Sequence, residues 1–208
     1  MRYVWGGAVA VSLISLAAAG SLAGPSPIRY LNRQYGFQLE IPSQWTAYDH
    51  TSPELAPLLQ ATRNSSGHSD ERSLSAPAAI FSEFPLNASV PFNTNITVSF
   101  YEGVPEDASL EEALRAMAST MLKDVPVQQI TRLDQPGHTV PWMVGECRYD
   151  QRTEQRTVPI KARLAITKDP RASRYILVTL SSLEDDFEQY GDVLLACLRS
   201  FRWLDKDR

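Results

Sequence analysis

Apolar and polar residues alternate along much of this chain with the period of a strand. Phe37, Leu39 and Ile41 alternate with Gln38 and Glu40, as expected where one face of a strand is buried. Residues 28–31 and 35–41 are therefore read as two short strands, split by Asn32-Arg33-Gln34 and closed by Pro42, which lacks an amide hydrogen for a ladder. Residues 78–84 and 95–101 are the next two strands, the second setting Ile96, Val98 and Phe100 against Thr97, Ser99 and Tyr101. The period then changes. Ser109-Leu110-Glu111-Glu112 has the spacing of a capping box, and Leu110, Leu114, Met117 and Met121 follow on one helical face before Pro126. Strand-like segments at 127–133, 139–149, 157–167 and 174–182 come next, separated by gaps short enough for antiparallel hairpins. A closing helix is expected over 185–200, with Phe187, Tyr190, Leu194, Leu198 and Phe201 in one stripe. Between the early strands, residues 54–61 are read as a short helix. Residues 62–77, too polar to offset the entropy of ordering, are read as a mobile surface loop.

This order of elements places the chain in the α+β class, as an antiparallel sheet packed by helices. Residues 24–208 fit one domain of the usual ~100–200 residues. Residues 1–23 have a different character. A basic Met1-Arg2 start, an uncharged apolar run over 4–23, and small Ser21 and Ala23 form the pattern of a secretory signal peptide cut after Ala23. The competing reading is an uncleaved anchor, because about 20 apolar residues span a bilayer. Cleavage is favoured by the small residues and by the absence of basic residues flanking Ala23 on its carboxyl side. No cysteine follows the cut to carry a lipid. The expected location is thus periplasmic or secreted, with no stable membrane insertion after cleavage.

The net charge of −4 argues against nucleic acid as a partner, since that requires a clustered basic footprint. Catalytic patterns are missing too. His50, His68 and His138 show no metalloprotease spacing, no cysteine pair has zinc spacing, and no G-x-S-x-G is present. No cofactor or metal is expected. Cys147 and Cys197 are the only cysteines. Each is expected to point from its element into a helix-covered core, which leaves two outcomes. They form one disulfide if the closing helix crosses the strand of Cys147 with Cα atoms within ~7 Å, or they pack as free thiols.

The run Tyr30-Leu31-Asn32, then Tyr35-Gly36-Phe37-Gln38-Leu39-Glu40-Ile41-Pro42-Ser43-Gln44-Trp45, resembles the opening motif of the PsbP-like superfamily. Leu198-Arg199-Ser200-Phe201 resembles the end of those domains, and the likeness in element order runs from Tyr30 to Trp203. The superfamily holds the PsbP protein of photosystem II, its bacterial relatives and other exported bacterial proteins. The resemblance implies an antiparallel sheet sandwiched by helices and an accessory or binding role. It transfers no functional residue, because the shared motif is structural: Gly36 permits a turn, Phe37 anchors the strand, Pro42 stops it and Trp45 covers its edge.

One polar cluster stands out. Trp142, Glu146 and Arg148 share a face of one expected strand and Lys161 and Arg163 share a face of the next, so hairpin pairing would bring them together. They form either cross-strand ion pairs or a recognition face with Trp142 as its aromatic anchor. The expected function is that of an exported, non-catalytic binding or accessory protein of the cell envelope, its partner another envelope protein or a small ligand. A hydrolase with an unrecognised site is the alternative.

Overall fold

The computed structural model describes residues 26–55, 77–102, 104–105, 107–122, 125–135, 140–152 and 156–204. The expected leader, the loop over 62–76, most of the helix expected at 54–61, His68 and His138 lie outside these residues.

Seven antiparallel strands form the larger sheet. In chain order they are β3 (Thr46–Asp49), β4 (Ala79–Ser82), β5 (Asn95–Tyr101), β6 (Gln128–Leu133), β7 (Trp142–Arg152), β8 (Thr157–Lys168) and β9 (Tyr175–Leu183). Across the sheet they run β3-β4-β5-β9-β8-β7-β6, so β6 to β9 are the expected meander and β5 closes onto β9 from far away in sequence. A smaller sheet has the order β1-β2-β10, with β1 Ile28–Asn32, β2 Phe37–Ile41 and β10 Arg202–Trp203. Among the described residues two α-helices accompany the sheets, α1 (Leu110–Leu122) and α2 (Phe187–Ser200). Among the described residues no helix is long and apolar enough to cross a membrane.

Alternation along the strands divides the interior into two cores. Ile176, Val178 and Leu180 of β9, Ala165 of β8 and Trp142 and Val144 of β7 face α2 and the smaller sheet, where they meet Phe37, Leu39, Phe187, Leu194, Leu198 and Phe201. Tyr175 and Leu177 of β9, Leu164 and Ile166 of β8 and Cys147 of β7 face the other way, onto Leu114, Met117 and Ala118 of α1. Strand residues one apart point to opposite faces, so the helices cover opposite sides of the sheet. The capping box at α1 forms as expected: the Ser109 amide donates to Glu112 Oε2 at 2.9 Å, and the Glu112 amide donates to Ser109 Oγ at 3.2 Å.

The same alternation decides the fate of the cysteines. Cys147 lies in the α1 core and Cys197 in the α2 core, both buried and both free thiols. The disulfide weighed from the sequence does not form, because the sheet stands between the two side chains. Burial pushes the Cys147 thiol up to about 11 and the Cys197 thiol up to about 12, so both are poor nucleophiles.

Candidate functional site

Hairpin pairing of β7 with β8 sets Glu146 opposite Arg163 and Arg148 opposite Lys161, so the polar residues expected to converge do so. They do not form an open recognition face. Lys161 Nζ lies 3.0 Å from Glu146 Oε2 and 2.9 Å from Glu188 Oε1 of α2, and 4.3 Å above the Phe187 ring. Arg163 pairs with Glu146 and donates from Nη1 to the Gly191 carbonyl at 3.0 Å. The side chains of Glu146, Lys161 and Arg163 are only 15%, 11% and 17% exposed. Burial by itself raises the Glu146 carboxyl, but hydrogen bonds from Arg163 and Lys161 outweigh it and hold the group below the usual carboxylate range. Arg148 stands outside, 3.0 Å from Glu184. Trp142, the aromatic anchor of the recognition-face alternative, is fully buried edge-on against Phe201 and donates its indole N–H to Gln135 at 3.2 Å. Through Glu188 and Gly191, the cluster of Glu146, Lys161 and Arg163 braces α2 against the sheet.

A second polar cluster lay unread in the sequence, where Asp169-Pro170 signals only a turn. Asp169, its side chain fully buried between β8 and β9, accepts from the Arg171 amide at 3.0 Å, from Arg171 Nε at 3.0 Å and from Arg174 Nε at 3.0 Å. The two guanidiniums then reach across to the smaller sheet. Arg171 Nη1 donates to the carbonyls of Gly36 at 3.1 Å and Leu204 at 2.8 Å, and Arg174 Nη2 to that of Tyr35 at 3.3 Å. Arg171 also lies 4.5 Å over the Trp203 ring, and Arg174 4.3 Å over that of Phe100. Gly36 turns with φ +71°, and a Cβ there would sit 3.0 Å from Arg171 Nη1. The glycine thus serves both the turn and the close approach of the clamp.

Around this clamp the solvent face of the smaller sheet is grooved. One depression of about 540 Å³ is lined by Arg29, Gln38 and Glu40, by Arg199 and Ser200 at the end of α2, and by Arg202 of β10. Its neighbour, of about 980 Å³, shares Gln38 and is lined by Leu31, Arg33, Tyr35, Arg171, Arg174 and Trp203, with Asp169 behind them. Six arginines thus meet two carboxylates, Glu40 and Asp169, a local balance of +4 on a chain whose overall balance is −4. Arg171 and Arg174 are committed to the clamp. Arg29, Arg33 and Arg199 are exposed and pair with no acidic side chain among the described residues. A guanidinium presents a planar fork of donors suited to carboxylate or phosphate oxygens, so this surface can hold an anion at several points.

Catalytic chemistry finds less material. His50 is exposed in the turn after β3, while the Asp49 carboxylate beside it accepts from the Thr51 hydroxyl at 2.6 Å and the Tyr30 hydroxyl at 3.2 Å. Among the described residues no three His, Cys, Asp or Glu side chains are grouped to hold a metal ion.

No protein-family profile and no curated protein sequence matches the chain. Solved structures do. Cyanobacterial PsbP (CyanoP) from Synechocystis sp. PCC 6803 aligns over 90% of this chain and 98% of its own, with a TM-score of 0.50 and 16% identity. LpqN of Mycobacterium tuberculosis, a protein involved in cell envelope biogenesis, aligns over 88% of each chain with a TM-score of 0.44 and 12% identity. The Ran-binding protein Mog1p of Saccharomyces cerevisiae aligns over 86% of this chain and 96% of its own, with a TM-score of 0.49 and 11% identity. The likeness to CyanoP, joined to the Tyr30 to Trp45 motif and the two-sheet topology, identifies the architecture: the chain has the PsbP-like α+β fold.

Proposed function

We propose that this chain is an exported, non-catalytic binding protein of the cell envelope that engages an anionic partner through the grooved face of its smaller sheet. The observation that carries this reading is the segregation of charge, with the exposed arginines Arg29, Arg33 and Arg199 gathered on one face of an otherwise acidic protein. Such a surface steers an anionic partner and fixes its orientation, which matters more to specificity and association rate than to raw affinity. Export rests on the leader pattern of residues 1–23.

The test is binding of a polyglutamate peptide, measured by calorimetry at low salt. Charge reversal at two groove positions, Arg33→Glu with Arg199→Glu, is expected to weaken binding about tenfold or more, since juxtaposed like charges cost several kcal/mol and 1.4 kcal/mol is tenfold. The same reversal at Arg132 and Arg152, exposed on β6 and β7, is expected to weaken it far less. Equal losses in both variants would reduce the effect to net charge and overturn the reading.

A further inference from the structure

We infer that the anionic partner is a lipid bilayer surface bearing anionic headgroups, docked by the outer face of β1; this rests on the reading of the arginine face as a binding surface. Arg29 and Leu31 stand two apart on β1 and so share its outer face, with Arg33 just beyond the strand and beside Leu31 in the wall of the larger groove. Leu31 is 41% exposed, one of the three large hydrophobic side chains exposed among the described residues. An acidic polypeptide would be served by the arginines and gives no account of the exposed leucine between them. A membrane interface takes both, because peripheral binding combines buried apolar surface with attraction of Lys or Arg to anionic lipid.

The order of the chain agrees with this placement. The apolar run ends at Ala23, five residues before Ile28, so extended chain puts β1 within about 17 Å of its end. While that run is in a membrane, the surface beside β1 is the bilayer. The larger groove opens next to Leu31, with Arg33 in its wall. Headgroup phosphates can therefore reach guanidinium donors while Leu31 enters the interface. The acidic remainder of the surface is repelled by the same lipid, which leaves one orientation.

Co-sedimentation with vesicles tests the inference, using the exported form of the protein with its amino-terminus established by sequencing. Vesicles of equal parts phosphatidylglycerol and phosphatidylcholine are expected to bind the protein at low salt and release it at high salt, and pure phosphatidylcholine to bind little. Leu31→Ser leaves the charge unchanged. It is expected to reduce vesicle affinity several-fold while leaving polyglutamate binding as it was, with Leu31→Asn as the parallel variant and melting curves confirming that both fold. Binding to polyglutamate but not to anionic vesicles would overturn the lipid assignment and keep the arginine face as a site for acidic polypeptides. Binding to neither would overturn both. Vesicle binding unaffected by either Leu31 variant would overturn the role given to β1.

Discussion

Arg163 and Arg33 present the same chemistry in opposite settings. Arg163 projects from the middle of the larger sheet and finds the Glu146 carboxylate, the Gly191 carbonyl and the Phe187 ring, 5.2 Å away, under a helix. Arg33 follows an edge strand of the smaller sheet and stands exposed in a groove wall. The first guanidinium is consumed by the fold; the second is left over. Charge counted along the chain does not separate the two, whereas partnership does: a charge buried with its counterion holds elements together, and a charge left exposed at a concave surface can meet something else. Asp169 belongs with Arg163, because its two arginines hold the smaller sheet to the larger one.

The difference is sharpest where a buried carboxylate is removed. Asp169→Ala would leave Arg171 and Arg174 without their counterion and is expected to cost about 4 kcal/mol in urea unfolding, within the range for stripping one partner from a buried pair. A loss below about 1 kcal/mol would place that clamp among ordinary surface ion pairs. Glu146→Gln is expected to cost less, about 2 kcal/mol, because Lys161 keeps Glu188 at 2.9 Å. Acid should act on the same two groups. Burial opposes ionisation of both, yet hydrogen bonds from arginine, and from Lys161 at Glu146, hold Asp169 and Glu146 below their ordinary values. Their stabilisation is complete above those ordinary values of 3.8 and 4.5 and is lost as pH falls through the depressed folded-state values. Asp169→Ala is accordingly expected to flatten the acid limb of a stability-versus-pH curve, and an unchanged limb would refute the assignment. The smallest effect belongs to the open side, where Arg33→Glu should shift stability by no more than about 0.5 kcal/mol, as surface changes do.

The thiols provide a control on the division of the interior. Both should resist an aromatic disulfide reagent at mildly alkaline pH and both should titrate once the chain is unfolded without reductant. A single disulfide recovered instead would contradict their burial on opposite faces of the sheet.

Local features were legible in the sequence. The alternation of β5 gave its bounds, Asn95–Tyr101, Ser109 and Glu112 declared the start of α1, and the Glu146, Lys161 and Arg163 cluster followed from one hairpin. Chemistry that depends on long-range assembly was not. Arg171 meets the Gly36 carbonyl across 135 residues, and no pattern in the turn after β8 names that partner. Strands β3 and β10, of four and two residues, are too short to show a period. Strand alternation says which residues share a face, not which helix covers it, so it leaves Trp142 open between a core position and a surface anchor and Cys147 open between a disulfide and a packed thiol. For the same reason the arginine face went unseen: Arg29 and Arg33 come from one end of the chain, Arg171 and Arg174 from a distant turn and Arg199 and Arg202 from the other end.

The pairing of β10 with β2, secured by the Leu204 amide donating to the Gly36 carbonyl at 2.9 Å, also sets a timetable. Strands β1 and β2 are neighbours in sequence, whereas the third strand of their sheet comes far later in the chain. Contacts that span so much sequence form only after a large loop is closed. Arg199 and Arg202 lie beside that late strand, so the arginine face is complete only once the smaller sheet has closed. Until residues 202–204 pair, the early hairpin carries only part of the positive field.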